Sequence, residues 1–119
     1  MQTVLVVDDH PTFRRFARQM LEEAGFAVVG EAADGAAALA QARELEPDVV
    51  LLDVLLPDTS GIALAHAFAR LRPAPSVVLT SSRSAADLGA ALRDAPARGF
   101  IAKAGLSGAA IQALVARRP

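Results

Sequence analysis

Five short runs rich in β-branched and apolar residues alternate with longer stretches of helical spacing, and this alternation constrains the fold more than any other feature of the chain. The runs are Thr3–Val7, Ala27–Ala32, Asp48–Leu52, Ser76–Leu79 and Gly99–Ala102. Strands whose apolar residues do not alternate with polar ones are covered on both faces, and the helices between them supply the covers. Five βα units therefore predict an α/β fold: a five-stranded doubly wound parallel sheet, flavodoxin-like, in the order 2-1-3-4-5, with five helices. A closed barrel would need eight strands.

The helices can be read from spacing and punctuation. Phe13, Phe16, Ala17, Met20, Leu21 and Ala24 share one face of the first, with Pro11 suited to its first turn and Gly25 to its stop. The second opens at Asp34, a good N-cap, and ends before Pro47. A third is expected from Ser60 to Leu71, closing before Pro73. The fourth, Ala85 to Arg93, is weakened by Gly89. The last starts near Ser107 and carries Ile111, Leu114 and Val115 on one face.

Composition narrows the function. The 119 residues are expected to form one domain, and a chain 53% hydrophobic and 21% charged is not disordered. No apolar run is long enough to span a membrane, and the N-terminus lacks the pattern of a signal peptide, so a cytoplasmic location is expected. A net charge of −1, without tryptophan or tyrosine, argues against direct nucleic-acid binding by this chain. With no cysteine there are no disulfides, thiolate metal sites or cysteine nucleophiles.

In an open parallel sheet, ligands bind outside the carboxyl ends of the strands. The first strand runs into Asp8-Asp9, the third into Asp53, the fourth into Thr80-Ser81-Ser82 and the fifth into Lys103. Neighbouring first and third strands would bring three carboxylates to one small site, with a hydroxyl and an ammonium beside them. Three close carboxylates repel, and a hard divalent cation relieves the repulsion; oxygen ligands favour Mg2+ over zinc. An aspartate beside such a cation and a lysine is equipped to take a phosphoryl group. Taken singly, each residue has a plainer reading: Asp as turn former or cap, Thr80 as a strand residue. Their joint placement carries the argument.

These pieces, VLVVDDH, VVLLDVLLPDTSG, VVLTSS and GFIAKAG, in this order and spacing, resemble the receiver domain of bacterial two-component response regulators over about Thr3 to Arg117. The resemblance implies that Asp53 is the phospho-acceptor, supplied by a sensor histidine kinase. It implies that Asp9 is a direct Mg2+ ligand, Asp8 its partner acting largely through water, and the Leu55 backbone carbonyl a further ligand. Lys103 matches the family's lysine, Thr80 its switch hydroxyl and Phe100 its aromatic switch residue. In the family mechanism Thr80 moves to the phosphoryl group and pulls the loop after the fourth strand, while Phe100 turns inward. Partners then read the surface of the fourth helix, fifth strand and fifth helix. The added charge biases an existing equilibrium between two packings. The implied partners are the kinase, a downstream effector domain or protein, and a second copy in a phosphorylation-dependent homodimer.

Ala104 stands where many receivers have proline, and with the DDH motif this resembles the NarL/LuxR-type branch, whose members often carry a C-terminal helix-turn-helix domain. Since the chain ends at Arg117-Arg118-Pro119, the expectation is either a stand-alone receiver or the receiver of a transcriptional response regulator. Pro96 replaces a common glycine and is expected to stiffen the approach to the fifth strand. Leu55 and Ser82 occupy positions that tune dephosphorylation in the family, and apolar Leu55 is expected to hinder the attacking water. His10 follows the acidic pair and could modulate the site, but is read first as a partly exposed residue at the start of the first helix; His66 is read as surface or boundary. Neither has a metal-ligand partner at helical or strand spacing. Arg14, Arg15 and Arg18 are read as a solvated face. Two other functions stay open: a Mg2+-dependent small-molecule phosphohydrolase, disfavoured by Leu55 at the acid/base position, and a receiver-like interaction domain that takes no phosphate.

Overall fold

The computed structural model describes residues 1–116, so Arg117, Arg118 and Pro119 lie outside the described residues. Its strands are β1 (Thr3–Val7), β2 (Ala27–Ala32), β3 (Val49–Asp53), β4 (Ser76–Ser81) and β5 (Gly99–Ala102). All strand pairings are parallel, as the alternation predicts, and the order is β2-β1-β3-β4-β5, the one expected of a flavodoxin-like sheet. The helices are α1 (Pro11–Glu23), α2 (Gly35–Leu45), α3 (Gly61–Phe68), α4 (Ala85–Leu88), α5 (Ala90–Arg93) and α6 (Gly108–Val115).

Successive residues of the central strands feed two separate cores. Leu5, Val7, Val50, Leu52, Val77 and Leu79 pack with Ala38 and Ala42 of α2 and Leu64, Ala65 and Phe68 of α3. Val4, Val6, Val49, Leu51 and Val78 pack on the opposite face with Ala17 and Leu21 of α1 and Ile111 and Val115 of α6. This two-sided burial explains the continuous apolar runs, each buried Val or Leu being worth about 1.5–3 kcal/mol. It holds for all of β3 and for all but the first residue of β1 and β4; β5 is half-buried along its whole length, and β2 buries only Ala32. Both are edge strands. Among the described residues no helix is long and apolar enough to cross a membrane.

Several boundaries differ from expectation. β3 is shifted by one residue, beginning at Val49 and extending to Asp53, which pairs with Thr80, and β4 reaches Ser81. α3 ends at Phe68, not Leu71, and the following residues close as turns, Arg70 N–H to Ala67 and Leu71 N–H to Phe68. The single fourth helix becomes α4 and α5, making six α-helices among the described residues. Gly89 adopts φ 75°, ψ −160°, which breaks the helical path, and neither half buries a residue. The expected N-cap at Asp34 is present, its side chain accepting from Ala37 N–H at 2.8 Å; Ser60 and Ser107 cap α3 and α6 in the same way.

Candidate functional site

Because all five strands run the same way, their carboxyl ends share one edge. Asp8 follows β1 and is fully buried, its N–H held by the Ala32 carbonyl at 3.0 Å. Asp53 ends β3 and is 4% exposed. Lys103 opens a short 3-10 turn after β5 and places Nζ 2.7 Å from Asp8 Oδ2 and 3.3 Å from Asp53 Oδ2. Asp9 reaches outward beside them. Ligand atoms of Asp8, Asp9, His10 and Asp53 all lie within 4.8 Å of one another. A cavity of about 240 Å3 opens over this cluster, edged by Leu55, Pro57 and Ser82.

The loop after β3 is built to present Asp53. Val54 N–H bonds to the Thr80 carbonyl (2.9 Å), Gly61 N–H to the Val54 carbonyl (2.6 Å), and Leu55 N–H to Asp53 Oδ1 (3.1 Å). A Cβ on Gly61 would overlap the Asp53 carbonyl oxygen and press on Val54 Cα at 2.8 Å, so this close approach requires glycine. Asp58 clips the same loop to α2, accepting from Gly35 N–H at 2.8 Å and Ala36 N–H at 3.0 Å. Those two donors hold its carboxyl below the usual range.

Burial alone would raise both aspartates of the pair. At Asp8 the Lys103 ammonium and the His10 N–H outweigh it, and the carboxyl lies below its ordinary value. At Asp53 burial, reinforced by the neighbouring Asp8 carboxylate, wins, and the pKa rises to about 6. For Lys103 burial favours the neutral amine, but the two carboxylates prevail and the ammonium is stabilised. Asp8 Oδ2 nevertheless has no hydrogen bond of good geometry; the Lys103 ion pair is what compensates its burial. A buried, incompletely satisfied carboxylate oxygen beside two further carboxylates is a donor set that fits a hard divalent cation.

Four predicted residues, Asp8, Asp9, Asp53 and Lys103, are brought together, with Leu55 at the rim. Two others stand apart. The Thr80 hydroxyl is buried and donates to the Ile101 carbonyl at 2.7 Å. Phe100 is half-buried and lines a second, mainly apolar cavity of about 300 Å3 beneath α5, with Leu79, Leu92, Ala95 and Ala97.

His10 and the arginines differ from the sequence reading. His10 is exposed at the N-cap of α1, as expected, yet its Nδ1 lies 3.1 Å from Asp8 Oδ1 and 3.0 Å from Asp9 Oδ1. It thus joins the carboxylate cluster, through a tight turn in which its N–H also bonds Asp8 Oδ1. Helical and strand spacing cannot reveal such a turn. Arg14 and Arg18 are not a free solvated face. Arg14 donates to the Asp8 carbonyl at 2.7 Å and to Glu31 at 3.2 Å, and Arg18 donates to Glu31 at 2.8 Å. Arg18, then Arg14, keep Glu31 below its ordinary pKa. His66 is exposed, in line with its reading. Asp58, and Phe13, whose ring centroid lies 4.2 Å from Lys103 Nζ, are site neighbours that the sequence does not reveal: Asp58 reads only as a turn former and Phe13 only as an apolar helix position.

The chain is similar to known proteins along most of its length. The family model of the response regulator receiver domain matches residues 4–115. The nitrate/nitrite response regulator protein NarP of Escherichia coli K12 is 43% identical over 102 residues, which cover 84% of this chain and 47% of NarP. The crystal structure of a LuxR-family two-component response regulator from Aurantimonas sp. SI85-9A1 superposes with a TM-score of 0.85 at 31% identity, covering 99% of this chain and 88% of that one. A chain of the CheX–CheY–BeF3–Mg2+ complex from Borrelia burgdorferi gives 0.82 at 26%, covering 96% and 86%. The chain spans about half the length, or less, of the curated relatives it matches. With the β2-β1-β3-β4-β5 sheet, the carboxylate cluster at its edge and a family match along residues 4–115, the chain belongs to the response regulator receiver domain family.

Proposed function

We infer that residues 1–119 act as one receiver domain whose phospho-acceptor is Asp53. Receiver domains take a phosphoryl group on an aspartate and work between sensor kinases and effector domains. Here the donor is the phosphohistidine of a sensor histidine kinase: the P–N bond breaks, a carboxylate oxygen of Asp53 forms the new P–O bond, and the freed imidazole takes up a proton. The observation that carries this reading is the Lys103 ammonium set between Asp8 and Asp53 at the floor of an open cavity.

Each residue has a stated task. Leu55 N–H fixes one oxygen of Asp53 and so orients the carboxylate. Lys103 neutralises the other and is within reach of an incoming phosphoryl oxygen. Asp8, Asp9 and the Leu55 carbonyl would hold Mg2+, with Asp53 as a further oxygen ligand, and the cation supplies charge neutralisation for the equatorial oxygens. Thr80 leaves Ile101 to meet the phosphoryl group, and Phe100 moves with the β4–α4 loop. The surface of α4, α5, β5 and α6 then passes the change to an effector, in the cytoplasm where the kinase acts. Relatives at 36% and 41% identity carry the names of transcriptional regulators, and a transcriptional output fits this placement.

The test is mass spectrometry after incubation with Mg2+ and acetyl phosphate. The protein should gain one phosphoryl group and Asp53→Ala none. Gain by the variant would move the acceptor elsewhere, and sustained turnover of a small phosphate ester would favour a hydrolase.

A further inference from the structure

The Lys103 ammonium has a third neighbour that the proposed chemistry does not use. Its Nζ stands over the Phe13 ring, 4.2 Å from the centroid. The two carboxylates bind it from one side, and the ring faces it from α1, one turn beyond the loop that carries Asp8 and Asp9. We propose that Phe13 is a positioning residue for phosphoryl transfer, holding the Lys103 ammonium over Asp53 through the face of its ring; this rests on Asp53 being the acceptor.

The physical need is clear from the surroundings. Lysine places a point charge on a flexible four-carbon stem. Its side chain is only 20% exposed, so solvent does little to hold the ammonium. The short turn Lys103–Gly105 lies beyond the last sheet pairing, Ser81 with Ala102, so the β4–β5 ladder does not anchor it. A phosphoryl group on Asp53 would require Nζ to move from the carboxylate oxygen toward a phosphoryl oxygen. A directional hydrogen bond opposes such a shift, whereas attraction to a ring face falls off gently and continues through it. The ring is itself half-buried: Phe13 packs against the core shared by α1 and α6 and meets Phe16 at 6.2 Å between centroids. An aliphatic residue at this position would fill the space without attracting the charge.

The test separates ring electrostatics from bulk. Phe13 is replaced by 4-fluoro-, 3,5-difluoro- and pentafluorophenylalanine, which drain the ring face at nearly constant shape, and by Leu and Trp. For each protein the rate constant of phosphorylation by acetyl phosphate with Mg2+, the 15Nζ shift of Lys103 and the thermal midpoint are measured. The expected result is a graded fall in rate, reaching about three- to tenfold in the pentafluoro and Leu proteins, with Trp near wild type. The Lys103 shift should move in step while the thermal midpoint stays flat across the fluorine series. Rates that are flat across that series, or that fall only as stability falls, would overturn the proposal. A wild-type protein that takes no phosphoryl group would instead overturn the Asp53 reading, and with it any role of Phe13 in the rate.

Discussion

The Thr80 hydroxyl is committed to the Ile101 carbonyl, 2.7 Å away on the neighbouring strand, and not to Asp53, its own register partner on β3. Thr80 is fully buried, so the bond cannot be exchanged for water without opening the β4–β5 edge. A hydroxyl with one proton serves one acceptor at a time. Reaching a phosphoryl group therefore means leaving Ile101, which makes the pair a two-state element that phosphorylation can bias.

Thr80→Val keeps the shape and removes the donor. Its expected cost is about 1 kcal/mol in urea unfolding, because the Ile101 carbonyl loses a buried partner. The variant should still accept a phosphoryl group, with smaller amide shifts along β4 and β5. Full-sized shifts would show that another group reports the event.

The metal-free protein should depend on pH through Asp53. Its folded pKa, about 6, exceeds the ordinary 3.8, so the folded state binds this proton more tightly. That contribution to stability is full below 3.8 and is lost as pH rises through 6. Asp53→Asn should therefore stabilise the protein at pH 7–8 in chelator, by about 1–3 kcal/mol, and give no advantage near pH 4. Denaturant melts across that window check it; equal gains at both ends would contradict the burial argument. Added Mg2+ should stabilise wild type more than the variant.

Leu55 is half-exposed at the rim of the cavity, where an attacking water would approach Asp53. Leu55→Asn supplies polar atoms that can orient this water. Loss of the phosphoryl group should accelerate on the order of three- to tenfold, followed by the decay of the phosphorylated mass. An unchanged lifetime would remove Leu55 from the account of hydrolysis.

Gly61→Ala tests the loop that presents Asp53. The new methyl meets backbone on β3, which cannot rotate away as a side chain would. A loss of about 1–3 kcal/mol is expected, together with slower phosphorylation than stability alone explains. Normal kinetics in a folded variant would mean that the loop position is unimportant to the acceptor.

The route from sequence to this site was uneven, for reasons that individual residues make plain. The five strand runs, the Asp34 cap and the Gly25 stop depend on neighbours within a few positions; all are present, with the bounds of β3 and β4 shifted by one or two residues. Gly89 signalled weakness in the fourth helix but not that the chain would break into two turns, since its backbone angles depend on what the segment packs against. His10 shows no ligand partner at helical or strand spacing, because those rules describe helices and strands and its contact with the carboxylates is made within a turn. Arg14 reads as solvated because Glu31 meets it only once β2 lies beside β1, and the Asp8 carbonyl only through the turn that joins β1 to α1.

By itself the sequence determined which side chains stand at the carboxyl ends of the strands, because strand boundaries and the parallel sheet follow from local hydrophobic pattern. Tertiary structure alone decided what those side chains do to one another. Lys103 reaches across fifty positions to Asp53 and lies over the ring of Phe13, and Thr80 turns to Ile101. Such pairings are set by distances of a few ångströms between segments remote in the chain. No local periodicity encodes them; they follow from how the sheet and its covering helices pack.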